Sequence, residues 1–125
     1  MRKILIIDDN ETVCGFMRDL LTREHYEVFV AKDGREGLKQ FREQRPDLVI
    51  IDVFMPEKDG LETLIDLQKE FPDTKVIAMS GYGGGSVHLK TAALLGARKI
   101  LSKPVANREI LDAVKELLLP EAPAN

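Results

Sequence analysis

The sequence predicts a three-layer α/β domain of five strand–helix units around a parallel sheet. Three observations carry that prediction. Five apolar runs of about five residues, rich in Ile and Val, are spaced along the chain. Amphipathic stretches with helical spacing separate them. The residues that close the runs are acids, a hydroxyl and a lysine. Runs without apolar–polar alternation suit strands buried on both faces, as in parallel sheets. Parallel neighbours need a crossover, and the amphipathic stretches supply one each time.

The first run, "KILII" (Lys3–Ile7), stops at Asp8 and Asp9, and Val13, Met17, Leu20 and Leu21 then form one helical stripe. The single cysteine, Cys14, falls in that helix; one thiol cannot close an internal disulfide and suits a small core position. The second run is "EVFVA" (Glu27–Ala31), followed by an Asp33-Gly34 turn and a helix with Leu38 and Phe41 on its stripe. Pro46 lies in the return to "LVIID" (Leu48–Asp52). Asp59-Gly60 precedes a third helix, with Leu61, Leu64, Ile65 and Leu67, and Pro72 lies in the return to "KVIAM" (75–79), which Ser80 closes. A looser fourth stripe, Val87, Ala92, Leu94 and Leu95, ends at Gly96. "RKILS" (98–102) runs into Lys103-Pro104, and Ile110, Leu111, Val114, Leu117 and Leu118 mark the fifth helix. The domain is expected over residues 1–119, and the Pro/Ala-rich "PEAPAN" (120–125) as a short flexible tail.

A chain of 125 residues, 44% hydrophobic and 31% charged, forms one domain with a substantial core. Its net charge of −3 gives no general attraction to nucleic acid. The apolar start breaks off at two acids, unlike a secretion signal, and no run approaches the roughly 18 apolar residues of a membrane span. A cytoplasmic protein that binds neither nucleic acid nor membrane is expected.

Ligands of open parallel α/β sheets bind beyond the carboxyl ends of the strands. At those ends stand Asp8 and Asp9, Asp52, Ser80 and Lys103. Each alone reads as a helix cap, a turn residue or a solvated lysine. Together they put three carboxylates, a hydroxyl and an ammonium at one pole of one sheet. Two carboxylates 4 Å apart repel by about 4 kcal/mol at an effective dielectric near 20, so the cluster needs counter-charge. Lys103 supplies one unit, and a divalent cation supplies two. Oxygen-only donors suit Mg²⁺; no Cys/His spacing suits zinc, and His25 and His88 read as surface residues. A carboxylate beside Mg²⁺ can attack phosphorus. Asp52, on a central strand, suits that role, with Asp8 and Asp9 toward the metal and Ser80 and Lys103 toward phosphoryl oxygens.

The segments "ILIIDDNE", "PDLVIIDVFMPEKDGLE", "VIAMSGY" and "GARKILSKPV", in this order, resemble the receiver domain of bacterial two-component response regulators, of the chemotaxis-regulator type, over residues 2–119. The resemblance implies a flavodoxin-like sheet of order 2-1-3-4-5. It implies a phosphoprotein rather than an enzyme, assisting its own phosphorylation and slow self-dephosphorylation. Asp52 would take a phosphoryl group from a sensor histidine kinase or phosphotransfer protein. Asp9, Asp52 and the backbone carbonyl of Phe54 would bind Mg²⁺, with Mn²⁺ as a substitute, and Asp8 would hold it through water. Ser80 and Lys103 would bind the phosphoryl group, and the peptide bond before Pro104 would be cis. The face made by the fourth helix, fifth strand and fifth helix would signal to an output protein or domain, or form a phosphorylation-dependent dimer.

The sequence departs from the family pattern in places. Ile100 stands where the family carries an aromatic switch residue, Phe54 is bulky beside the phosphoacceptor, and "GYGGGS" (81–86) is rich in glycine and expected to be mobile. Three other readings compete. A receiver-like interaction domain would keep the fold without phosphorylation. An aspartate-nucleophile phosphohydrolase needs a second acid two positions after the nucleophile, where Phe54 and Asn10 stand. A nucleotide or flavin module would use "GYGGGS", which lacks the Lys-Ser/Thr ending of a P-loop.

Overall fold

The computed structural model describes residues 1–53, 60–81 and 85–119, with side chains of the last span described from Lys90 onward. Ten elements alternate: β1 (Lys3–Ile7), α1 (Glu11–Arg23), β2 (Glu27–Ala31), α2 (Gly34–Gln44), β3 (Leu48–Asp52), α3 (Gly60–Glu70), β4 (Val76–Ser80), α4 (Gly85–Leu94), β5 (Lys99–Ser102) and α5 (Asn107–Leu117). All strand pairs are parallel, in the order β2-β1-β3-β4-β5. The predicted fold class and strand order are therefore those of the molecule. β4 and β5 each begin one residue later than the apolar runs suggested.

The side-chain period of two divides each central strand between two cores. Leu5, Ile7, Val49, Ile51, Val76 and Ala78 meet Leu38 and Phe41 of α2, Leu64 and Leu67 of α3 and Ala92 of α4. Ile4, Ile6, Leu48, Ile50, Ile77 and Met79 meet Cys14, Met17 and Leu21 of α1 and Ile110 and Val114 of α5. Two helices thus cover one face and three the other. Burying each Leu or Ile contributes about 1.5–3 kcal/mol.

Burial on both faces holds for β1, β3 and β4 but not for the outer strands. β2 is mostly half-buried, and β5 alternates half-buried and exposed residues. An edge strand has a neighbour on one side only, and the helices centre on the middle of the sheet. The predicted α4 stripe also needs correction, because Leu94 is 88% exposed. Ala92 and Leu95, three apart, share the core-facing side, and Leu94 turns away from it.

Helix starts fix the geometry near the carboxyl edge. Asn10 Oδ1 accepts the Val13 N–H at 3.1 Å and caps α1, and Asp33 Oδ1 accepts the Glu36 N–H at 2.8 Å and caps α2. Gly60 opens α3 hard against the end of β3. A Cβ there would run into the Asp52 carbonyl oxygen and stand 2.5 Å from Val53 Cα, so only glycine fits. Gly96, at φ 107, ends α4 in the left-handed region. Among the described residues no helix is long and apolar enough to cross a membrane.

Candidate functional site

Strand order delivers the polar strand ends to one edge. Asp8 follows β1, and its backbone N–H donates to the Ala31 carbonyl at 3.0 Å, which prolongs the β1–β2 ladder by one residue. Asp52 closes β3, and Val53 after it donates to the Met79 carbonyl at 2.9 Å. Both carboxylates are buried, Asp8 to 1% exposure and Asp52 to 4%. Asp9 is exposed. One oxygen from each of the three carboxylates lies within 4.8 Å of the others.

Lys103 crosses into this cluster from just beyond β5. Its Nζ donates to Asp8 Oδ2 at 2.8 Å and to Asp52 Oδ2 at 3.0 Å. Burial alone would favour the neutral amine. The hydrogen bonds and charges of Asp8 and Asp52 outweigh it and hold Lys103 above the usual lysine range. The Lys103 N–H donates to the Ser80 carbonyl at 2.7 Å, which fixes the chain as it leaves the sheet. The Lys103–Pro104 peptide bond is cis.

Ser80 is fully buried at the end of β4, and its Oγ has no hydrogen-bond partner among the described residues. A buried hydroxyl without a partner carries a desolvation cost of about 1–3 kcal/mol. Ile100 lies on β5, 44% exposed, away from the cluster. Phe54, whose carbonyl was expected at the metal, lies outside the described residues, as do positions 82–84 of "GYGGGS".

Two clamps on Asp8 were missed in the sequence. The Asn10 N–H donates to Asp8 Oδ1 at 3.0 Å, and the Cys14 thiol donates to the Asp8 carbonyl at 3.2 Å. Asn10 was findable, since an Asn before an amphipathic run signals a helix cap and hence a turn folding back on its neighbours. Nothing marks the Cys14 contact in sequence. Burial pushes the Cys14 thiol up to about 11, and the Asp8 charge adds to the shift while Lys103 opposes it.

The donor set fits a hard cation. It consists of carboxylate oxygens, one on a solvent-exposed residue, with no imidazole or thiolate among them. A five-stranded parallel sheet with such an acidic pocket at its carboxyl edge defines a ligand-binding α/β domain of the doubly wound class. The family model of the response regulator receiver domain matches residues 4–115, and the chain belongs to that family of signalling domains. It is 29% identical over 117 residues to the chemotaxis protein CheY of Thermotoga maritima, covering 93% of this chain and 97% of that one. It is 33% identical over 120 residues to the alkaline phosphatase synthesis transcriptional regulatory protein PhoP of Bacillus subtilis, covering 94% of this chain but 48% of that one. Among solved structures, a response regulator receiver domain protein of Clostridium thermocellum superposes with a TM-score of 0.88 at 32% identity, covering 94% of each chain.

Proposed function

We propose that this chain is a phosphorylation-controlled switch in which Asp52 is the phosphoacceptor. The observation that carries the reading is the Lys103 ammonium bridging Asp8 and Asp52, with Asp9 in the same cluster. A carboxylate fixed at a strand end beside a cation is arranged for attack on phosphorus.

An Asp52 oxygen attacks the phosphorus of a phosphohistidine on a sensor kinase or phosphotransfer protein. The O–P bond forms as the P–N bond breaks, and the imidazole keeps the electron pair. When bound, Mg²⁺ or Mn²⁺ would supply charge neutralisation for the transferring phosphoryl oxygens. Asp9 and Asp52, with the Phe54 carbonyl, would hold the ion, and Asp8 would hold it through water. Lys103 pairs with a phosphoryl oxygen, and the buried Ser80 hydroxyl donates to another.

The new group carries up to two negative charges. Moving a two-state equilibrium from 1:99 to 99:1 takes about 5.5 kcal/mol, and charge-assisted hydrogen bonds of about 1.5–3 kcal/mol each reach that order. The drawn-in Ser80 and Lys103 carry β4 and β5 with them, and the α4–β5–α5 face passes the change to an output protein or domain, or to a second copy. Residues 1–119 form the switching unit, working in the cytoplasm. Slow self-dephosphorylation resets it, at a rate that the bulk of Phe54 influences.

Incubation with acetyl phosphate and Mg²⁺, followed by intact-mass measurement, tests the reading. One phosphoryl group is expected on the wild type and none on Asp52→Ala. A mass gain that survives the substitution removes Asp52 from this role. No gain on the wild type, together with no response to beryllofluoride, leaves a receiver-like interaction domain without phosphorylation.

A further inference from the structure

We infer that the groove between α1 and α5 is a subsite for small phosphodonors, which receives the apolar leaving group of an aroyl phosphate. The inference rests on Asp52 as the phosphoacceptor and adds a class of donor. The groove has a volume of about 380 Å³, within the range of about 300–1,000 Å³ usual for ligand pockets. It is lined by Val13, Phe16 and Met17 of α1, Met79 of β4, Val105, and Ile110 of α5. Met17, Met79 and Ile110 are at most 2% exposed and lie at its base, whereas Phe16 is 51% exposed. Phe16 falls outside the buried stripe of α1, which is Cys14, Met17 and Leu21, and belongs to neither core. The packing of the fold does not account for its ring.

The groove is continuous with the acidic cluster. Asn10 and Lys103 line its polar end, and both bond Asp8, through the Asn10 N–H at 3.0 Å and Lys103 Nζ at 2.8 Å. A ligand with its head at the cluster therefore has an apolar channel beside it for its tail. That selects a donor with an anionic phosphoryl head and an apolar group attached. The apolar group displaces water from Val13, Phe16 and Val105. An aromatic ring suits these walls better than a methyl group does. It meets the Phe16 ring, and the sulfurs of Met17 and Met79 favour aromatic neighbours. In the transfer an Asp52 oxygen attacks phosphorus. The new O–P bond forms as the bond from phosphorus to the acyl oxygen breaks. The aroyl group leaves as a carboxylate with the electron pair, and no proton moves.

Phosphorylation by benzoyl phosphate and by acetyl phosphate, each with Mg²⁺ and followed by intact mass, tests the subsite. Benzoyl phosphate is expected to reach its half-maximal rate at a concentration lower by about tenfold. Phe16→Ala is expected to bring the two donors within about threefold of each other. Equal half-saturating concentrations on the wild type, or a preference undiminished in the variant, overturn the inference and leave Asp52 as the phosphoacceptor. If neither donor adds mass, the reading of Asp52 fails and the subsite falls with it. A second measurement needs only the wild type. Phenacylphosphonate, in which a CH₂ replaces the bridging oxygen of benzoyl phosphate, cannot transfer its group. Titrated in with Mg²⁺, it is expected to shift the methyl resonances of Val13, Met17, Val105 and Ile110. Shifts confined to the acidic cluster would leave the groove to a protein partner and overturn the inference, even if the variant does not fold.

Discussion

Lys103 Nζ lies 2.8 Å from Asp8 Oδ2, although 95 positions separate the two residues in sequence. Their strands do not touch, since β3 and β4 stand between β1 and β5. The lysine reaches back across the ends of both, passing Asp52 on the way. Parallel strand order makes this meeting: each crossover returns the chain to the same edge, and the residues just past each strand collect there. The balance of charge is incomplete, because the cluster holds three carboxylates and the ammonium pairs with two of them.

Asp9 is the carboxylate that Lys103 does not reach. It adds repulsion without an ion pair among the described residues. Asp9→Asn is expected to raise stability in metal-free buffer by a few tenths to about 1 kcal/mol, the scale of a solvent-screened charge pair. Added Mg²⁺ is expected to stabilise the wild type and to have little effect on the variant. Thermal melts of both proteins, with and without Mg²⁺, check this. A variant less stable than the wild type in metal-free buffer refutes it.

Three glycines test how tightly the helices meet the sheet. A Cβ at Gly15 in α1 meets nothing within 4 Å, so Gly15→Ala is expected to stabilise by about 0.5–1 kcal/mol through helix propensity alone. At Gly37 in α2 the Cβ would lie 2.5 Å from Ile7 Cδ1, the movable end of a side chain. It would also lie 2.9 Å from Cγ1 of Ile7, which is fully buried, so Gly37→Ala is expected to cost about 1–2 kcal/mol. At Gly60 the obstacle is the Asp52 and Val53 backbone, which cannot give way without moving the end of β3. Gly60→Ala is expected to cost at least about 2 kcal/mol. Urea unfolding of the three variants should return this order; a different order would mean that α3 meets β3 less closely than described.

Much of this was legible because it rests on local patterns. The Ile/Val-rich runs of β1 and β3 read directly as buried strands, and Asp33-Gly34 as a cap and turn. Where the patterns failed, tertiary placement decided. "EVFVA" and "KILS" look like central strands but lie at the edges, and no local feature says how many neighbours a strand will have. Leu94 looks like core but faces solvent, since the apolar residues of α4 are spread around the helix and mark no single face. The site residues were visible as a set of polar strand ends. What the sequence did not reveal was their mutual bonding. The clamps on Asp8 from Asn10 and Cys14 depend on how the β1–α1 turn folds back, and the closeness of Gly60 to Asp52 depends on where α3 docks.

Alkaline pH should unfold the protein in two overlapping steps. Cys14 is raised to about 11 in the folded state, above the thiol's ordinary value of 9.0. Between those values the native state binds more protons than the unfolded one, so stability falls as pH rises. Lys103 is also raised, above 10.5, so its contribution is present below 10.5 and is lost as pH rises through the folded value. Cys14→Ala is expected to lack the first decline and keep the second. Denaturant melts at intervals from pH 8 to 11 check the slopes. An unchanged slope in the variant would mean that the thiol ionises as freely when folded as when unfolded.

Ser80→Ala should act with opposite signs on the two states of the switch. In the unmodified protein the Ser80 hydroxyl is fully buried without a partner among the described residues. Removing it relieves a desolvation cost that nothing offsets, so the variant is expected to be more stable by about 1 kcal/mol. With a phosphoryl group on Asp52 the same hydroxyl would donate a hydrogen bond to a charged oxygen, typically about 1.5–3 kcal/mol. Its loss is expected to weaken binding of beryllofluoride with Mg²⁺ by about tenfold or more. Unfolding of the free proteins measures the first effect, and beryllofluoride titration by NMR measures the second. Lower stability would mean that the hydroxyl has a native partner. Unchanged beryllofluoride affinity would place Ser80 outside the phosphoryl site. The expected pair of results identifies Ser80 as a residue held at a cost to the resting fold so that the modified state has a donor ready.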